Sequence, residues 1–255
     1  MQQELKNFQN KYSSPSSRNC EQSSQRDDFP PKRGNDRLIR SFGRIKSRKL
    51  SNHKNFLLEN FLPKYEVAQN YLTPNALRLT PISLEIGFGF GDFLFEKAQK
   101  NPDQFFFGSE PHINGVVNLL AKLEIEPLPN LRISRDDVRI FLEKFPQKFF
   151  DEVFILFPDP WPKLKHFKRR LIDTNFLDEV LSPKMKTGAK IVIATDHDSY
   201  KTWILSTISR SKKFSWLANS EKDWEIFPQD WVETKYQRKA VKEGRTSVIF
   251  NLIHK

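Results

Sequence analysis

Within this chain of 255 residues, the residue types best suited to chemistry lie in residues 154–170, FILFPDPWPKLKHFKRR. The apolar run 152–157 is rich in aromatic and β-branched residues and reads as a buried strand. Pro158 and Pro160 end it, because each fixes φ and neither has a backbone N–H to donate. Between them stands one carboxylate, Asp159, followed by Trp161 and then by Lys163, Lys165, Lys168, Arg169 and Arg170, with no acid among them. A strand exit followed by a solvated charge run explains either half alone. The two together, at one strand end, form a layout for chemistry on a polyanion.

A second constellation lies upstream. An apolar strand runs into Glu85-Ile86-Gly87-Phe88-Gly89-Phe90-Gly91-Asp92. Glycines at alternate positions let the backbone turn tightly and approach a ligand with no Cβ in the way. The helix that starts near Asp92 aims its free N–H groups at that ligand. Nineteen residues after Gly91, Glu110 ends the apolar strand FFFGS, a place from which a carboxylate binds both ribose hydroxyls of an adenosine group. A nicotinamide dinucleotide would use the same fingerprint. Glu85, two residues before the first glycine, argues against it, since it would repel a pyrophosphate and attract the ammonium of a methionine moiety. Asp136 and Asp137, past the third strand, both stand where they can accept from an adenine amino group. Plain solvation at a strand end explains Glu85 or Asp137 equally well when each is taken singly.

These loops need a scaffold. Strands are predicted at 82–86, 105–109, 131–135, 152–157 and 190–195, with helices near 92–100, 112–124, 138–145, 174–184 and 198–210. The alternation argues a doubly wound, mostly parallel α/β sheet. Residues 213–218 and 246–253 are read as two further strands that close a seven-stranded sheet as antiparallel edges. Ser51 is placed to cap a helix over 52–62, with Phe56, Leu57 and Phe61 as its buried face. Residues 1–36, rich in Gln, Asn and Ser, are read as a disordered tail, 37–80 as a basic arm with that helix, and 81–255 as the catalytic domain.

The net charge of +11 favours a nucleic acid or another polyanion. It is concentrated: residues 37–64 hold eight Lys/Arg against one acid, 161–170 five against none, and 232–245 five against two. Outside these and the tail, 18 basic residues face 23 acidic ones, so the rest is acidic. Cys20 is the only cysteine, which excludes an internal disulfide and any multi-cysteine zinc site. The five histidines are scattered without ligand spacing, and no metal is expected. No apolar run approaches the ~18 residues of a membrane helix, and the N-terminus lacks a secretory h-region. The cytoplasm is the expected location.

Taken in order, EIGFGFG, GSEPH, RDD, FPDPWPKLKHFKRR, ATDHDSY and TKYQRKAVKEGR resemble the tRNA (guanine-N7)-methyltransferase family, from about residue 37 to 253. PDPW with its trailing lysines and KRR is the most specific of these motifs. The glycine loop resembles class I methyltransferases in general, and IRSFGRIKSRKL resembles the family's basic N-terminal segment. The resemblance implies a Rossmann-like enzyme that carries a methyl group from S-adenosylmethionine to N7 of a guanine in the variable region of tRNA; no obligatory protein partner is inferred. It further implies that Glu85, Gly87, Gly89, Gly91, Glu110, Asp137 and Asp159 contact the cofactor, with Asp136 the alternative to Asp137. Asp159 would be the active-site residue. Lys163, Asp196, Thr234, Lys235, Tyr236 and Gln237 would contact the substrate.

Two positions depart from the family pattern. Its usual TKFE reads TKYQ here, so Gln237 lacks the family's carboxylate, and Pro162 stands where His or Pro is expected. Guanine N7 has a free lone pair and no proton, so transfer to it requires alignment and charge stabilisation rather than a general base. Trp161 is open to two roles, stacking on a base or burial under the loop. An amino-methyltransferase acting on adenine or cytosine of RNA, and a non-catalytic tRNA-binding protein, are the competing readings.

Overall fold

In the computed structural model, residues 50–68, 72, 80–229 and 231–255 are described. The tail and most of the basic arm, including Arg44 and Lys46, lie outside them. Among the described residues, seven strands form one sheet: β1 (Ile82–Ile86), β2 (Phe105–Ser109), β3 (Leu131–Ser134), β4 (Phe150–Leu156), β5 (Met185–Thr195), β6 (Phe214–Trp216) and β7 (Val248–His254). Their order is β3-β2-β1-β4-β5-β7-β6, parallel as far as β5. β7 runs antiparallel between β5 and β6. The last two strands are therefore not both edges, since β7 is interior and β6 closes the sheet.

Among the described residues the helices are α1 (Asn52–Asn60), α2 (Leu62–Tyr65), α3 (Asp92–Lys100), α4 (Ile113–Ile125), α5 (Val138–Glu143), α6 (Asp198–Arg210) and α7 (Lys235–Lys242). The sheet is apolar on both faces because helices cover both. β4 sends Val153 and Ile155 into one core, and Phe154 and Leu156 into another. On one face Phe107, Phe141, Phe145, Phe149 and Phe150 form a cluster of rings whose centroids lie 4.9–6.1 Å apart. On the other, Phe88, Leu94, Val116 and Leu119 pack against Phe106 of β2. Among the described residues, no helix is long and apolar enough to cross a membrane.

Three elements differ from the sequence reading. Ser51 does cap α1, its hydroxyl accepting from the Lys54 N–H at 3.4 Å, but Phe56 is exposed; Leu57, Leu62 and Tyr65 are buried in the core, and Phe61 packs partly buried against it. The segment predicted as a helix over 174–184 contains a π-helical turn (Phe176–Leu181) followed by a 3-10 turn (Ser182–Lys184). Pro183, with no N–H to give, prevents an α-helix from continuing there. β5 begins at Met185 rather than near 190. Its register against β4 jumps from Phe150–Met185 to Glu152–Lys190, with Gly188 at φ 81° inside the irregularity, and such a bulge hides the strand's first half from a periodicity argument.

The strand order reverses between β1 and β4, since β2 and β3 lie to one side and β5 to the other. In an open α/β sheet, ligands bind outside the carboxyl ends of the strands at that switch point. The loops after β1, β2, β3 and β4 all emerge there.

Candidate active site

A cavity of about 420 Å³ opens at this switch point, lined in part by Gly87, Gly89, Glu110, Asp137, Asp159 and Tyr236. Its size suits a small-molecule ligand. A narrower recess beside it shares Gly87, Phe90, Leu156 and Tyr236, and is also lined by Glu85, Thr234 and Lys235. Four strand ends and the start of α7 therefore bring most of the sequence-predicted residues together.

The glycine loop is built as its spacing predicts. Gly87, Gly89 and Gly91 have φ of 73°, 54° and 73°, in the left-handed region that favours glycine. The Gly87 N–H donates to the Ser109 carbonyl at 2.7 Å, and the Gly89 N–H to Glu110 Oε2 at 2.8 Å. Glu110 Oε1 accepts from the His112 N–H at 2.7 Å. One carboxylate thus ties the first loop to the start of α4, lines the cavity, and keeps acceptor capacity on both oxygens. Burial raises its carboxyl above the ordinary range, while the two backbone bonds oppose that rise.

A residue missed in the sequence holds this arrangement in register. A Cβ on Gly115, in the first turn of α4, would stand 2.2 Å from the Gly89 carbonyl oxygen and 3.1 Å from Glu110 Cγ. The helix can press against the glycine loop only because no side chain intervenes.

Glu85 is buried under that loop, and its Oε2 has no hydrogen-bond partner. Burial, reinforced by the nearby charges of Glu110 and Asp92, pushes its carboxyl up to about 8. An orphaned buried acceptor of this kind is costly unless a cationic ligand meets it. In the unfolded chain the same carboxyl ionises in the ordinary range, so its contribution to stability is full below that range and is lost as pH rises through 8. Glu85→Gln has no such slope. Its stability advantage over the wild type is expected to grow between about pH 5 and 8, reaching a few kcal/mol at ~1.4 kcal/mol per unit of pKa, and to appear as a widening gap in melting temperature. A pH-independent difference in thermal melts would contradict a protonated Glu85.

Of the two aspartates after β3, Asp137 lines the cavity and caps α5, its Oδ1 accepting from the Arg139 N–H at 3.0 Å. Arg139 Nη1 pairs with its Oδ2 at 3.3 Å. Asp136 turns elsewhere, accepting from Ser134 Oγ at 2.9 Å and from Lys144 Nζ at 2.6 Å.

Asp159 stands at the cavity rim, open to the cavity itself, yet shielding by the surrounding walls raises its carboxyl above the usual range. The residues flanking its prolines are strained: Phe157 has φ 51° and Trp161 φ 42°, conformations that bulky side chains rarely adopt. Trp161 lines the cavity wall, with the Arg169 guanidinium 4.9 Å from its ring centroid and the His166 ring edge-on at 5.7 Å. The 3-10 turn Leu164–Arg169 follows. Lys163, Lys165 and Lys168 are exposed around it and Arg169 is half-buried in the wall. Arg170, the last cation of the run, is only 2% exposed and does not share the solvent-facing position of the lysines.

The TKYQ stretch forms the start of α7. Thr234 Oγ1 caps it by accepting from the Gln237 N–H at 3.1 Å. Lys235 Nζ lies 4.2 Å from the Phe90 ring centroid, and the Tyr236 ring would be 3.3 Å from a Cβ on Gly89. Burial raises the Tyr236 hydroxyl, and the charges of Glu110 and Asp159 add to the rise. Gln237 Oε1 accepts from the Trp231 indole at 2.7 Å, and Trp231 packs on Phe93 and Phe227 at 5.4 and 4.9 Å. At this position an amide thus serves as an acceptor for the protein's own tryptophan. Asp196, on the loop after β5, is bound by Arg245, whose Nε and Nη2 lie 3.0 and 2.8 Å from Oδ2. Gly91, Lys163, Asp196 and Gln237 lie outside the walls of both the cavity and the recess.

Residues 79–250 match the family model described as "Putative methyltransferase". The tRNA (guanine-N(7)-)-methyltransferase of Hyphomonas neptunium is 39% identical over 207 residues, covering 80% of this chain and 94% of that one. The protein of the same name from Agrobacterium fabrum is 38% identical over 223 residues, 84% and 94% of the two chains. That of Bartonella quintana is 36% identical over 222 residues, 84% and 95% of the two chains. With a family model matched over residues 79–250 and relatives 36–39% identical across most of its length, the chain belongs to the tRNA (guanine-N7)-methyltransferase family.

Proposed function

We propose that this protein transfers a methyl group from S-adenosylmethionine to N7 of a guanine in the variable region of tRNA. The observation that carries the reading is the convergence of Gly87, Gly89, Glu110, Asp137 and Asp159 on one cavity, beside a buried Glu85 whose Oε2 has no hydrogen-bond partner. These residues fit the cofactor. Glu85 offers an acceptor to an ammonium and gives up its proton as it does so. Glu110 retains lone pairs for ribose hydroxyls, and Asp137 for an adenine amino group.

When bound, the cofactor supplies an electrophilic methyl carried on a sulfonium. The protein's task is alignment, because N7 presents a lone pair and has no proton to lose. Methylation makes the guanine cationic, and Asp159 stabilises that charge as it develops. Its rigid frame of two prolines suits an electrostatic role better than proton abstraction. N7 lies in the deep, narrow major groove of an A-form helix, so the target base must sit in a non-helical region or be drawn out of the tRNA core. The exposed Lys163, Lys165 and Lys168 hold phosphates while this happens, and Arg169 with Trp161 forms the wall beside the base. A tRNA substrate fits a protein working in the cytoplasm.

The test is to incubate the protein with labelled S-adenosylmethionine and unmodified tRNA, digest the RNA and identify the labelled nucleoside. Label in 7-methylguanosine is expected. Label in a methylated adenosine or cytidine would replace this reading with the amino-methyltransferase one, and tRNA binding without label with the non-catalytic one.

A further inference from the structure

Arg170 sits in a run of cations, yet it is buried and its partners are all internal. Its Nε donates to the Pro160 carbonyl at 2.8 Å, Nη1 to the Ser199 carbonyl at 3.2 Å, and Nη2 to Ser199 Oγ at 3.0 Å. The guanidinium lies 3.7 Å from the Phe167 ring centroid, 5.0 Å from that of Tyr200 and 5.1 Å from that of Trp203. Such a site selects arginine, because a planar fork can span two loops at once and stack on aromatic faces while a lysine ammonium cannot. Ser199 belongs to the first turn of α6, three residues past Asp196, and its hydroxyl also lies 3.1 Å from His197 Nδ1.

We infer that Arg170 is a positioning residue that locks the Asp159 loop onto the loop of Asp196, and is not a phosphate contact. Its bond to the Pro160 carbonyl fixes the peptide between Pro160 and Trp161, where the chain enters a strained left-handed conformation. Strain of this kind persists only where the surroundings over-determine the backbone. Arg170 supplies that constraint one residue from the carboxylate, and its other arm anchors the constraint to α6.

The inference rests on the proposed methyl transfer, and its test separates the two. Where wild-type protein fails to label N7, the proposed function fails; where wild type labels N7, the variants judge Arg170. Arg170→Met is expected to lower kcat about 10²-fold, the scale of a misplacement of ~1 Å, and Arg170→Lys at least tenfold. Affinity for tRNA, the slope of that affinity with salt, and affinity for S-adenosylmethionine stay as in wild type. In an Asp159→Asn background, Arg170→Lys adds little further loss, because the residue acts through the loop that carries Asp159. Should Arg170→Met fail to fold, Ser199→Ala, which removes one acceptor from the far end of the strut, is expected to lower kcat several-fold with the same unchanged salt slope. Wild-type kcat with a shallower salt slope in Arg170→Lys would make it a phosphate contact. A loss additive with Asp159→Asn, tracking a lower melting temperature, would make the residue merely structural. Either result overturns the inference.

Discussion

Replacing Asp159 with Asn is expected to lower kcat by about 10²–10³-fold, the scale of losing one preorganised electrostatic contact to a developing charge. The substitution keeps the shape of a side chain framed by Pro158 and Pro160 and removes only its charge. Affinity for S-adenosylmethionine should fall far less than kcat, since Glu85, Glu110 and Asp137 are untouched. The pH profile adds a second reading. Asp159 works ionised, and shielding raises its carboxyl above the usual range. The wild-type rate is therefore present above that raised pKa and lost as pH falls through it, earlier than for a free carboxylate. The variant should lack that limb. Single-turnover kinetics measures both, and full activity of Asp159→Asn would mean that alignment alone carries the reaction.

The second large effect is expected at Gly115. An Ala Cβ there would stand 2.2 Å from a backbone oxygen, a contact that forces either α4 or the glycine loop to move. Overpacking of this kind costs about 1–3 kcal/mol. Here the displaced atoms belong to Gly89, whose N–H binds Glu110, so the cost should appear in cofactor binding. Calorimetry is expected to show S-adenosylmethionine affinity lowered about 5- to 150-fold, the equivalent of that energy. Wild-type affinity in Gly115→Ala would mean that the loop is free to shift without loss.

These cases separate what the sequence discloses from what it hides. Glu85, the three glycines, Glu110, Asp137 and Asp159 were legible because each stands at the carboxyl end of a parallel strand. Recognising the strands was enough to place them on one edge. The choice between Asp136 and Asp137 was not legible, since adjacent residues at a strand exit differ only in which way the chain turns. Here Asp137 caps a helix at the cavity and Asp136 is drawn off by Lys144. Gly115 carried no signal, as a lone glycine in a helix looks the same whether or not a loop presses on it. The burial of Arg170 was not legible, because a cation in a basic run resembles its solvated neighbours until Phe167, Tyr200 and Trp203 are folded around it. The pairs Trp231–Gln237 and Arg245–Asp196 depend on side-chain meetings across loops, which no periodicity encodes.

The most direct test of the central claim is a tRNA whose target guanine is replaced by 7-deazaguanine, with carbon in place of N7. Every other contact of the base and backbone is retained, so the modified tRNA should bind with wild-type affinity and accept no methyl group from labelled S-adenosylmethionine. Incorporation of label into that nucleoside, at an exocyclic amine or elsewhere, would contradict methyl transfer to N7.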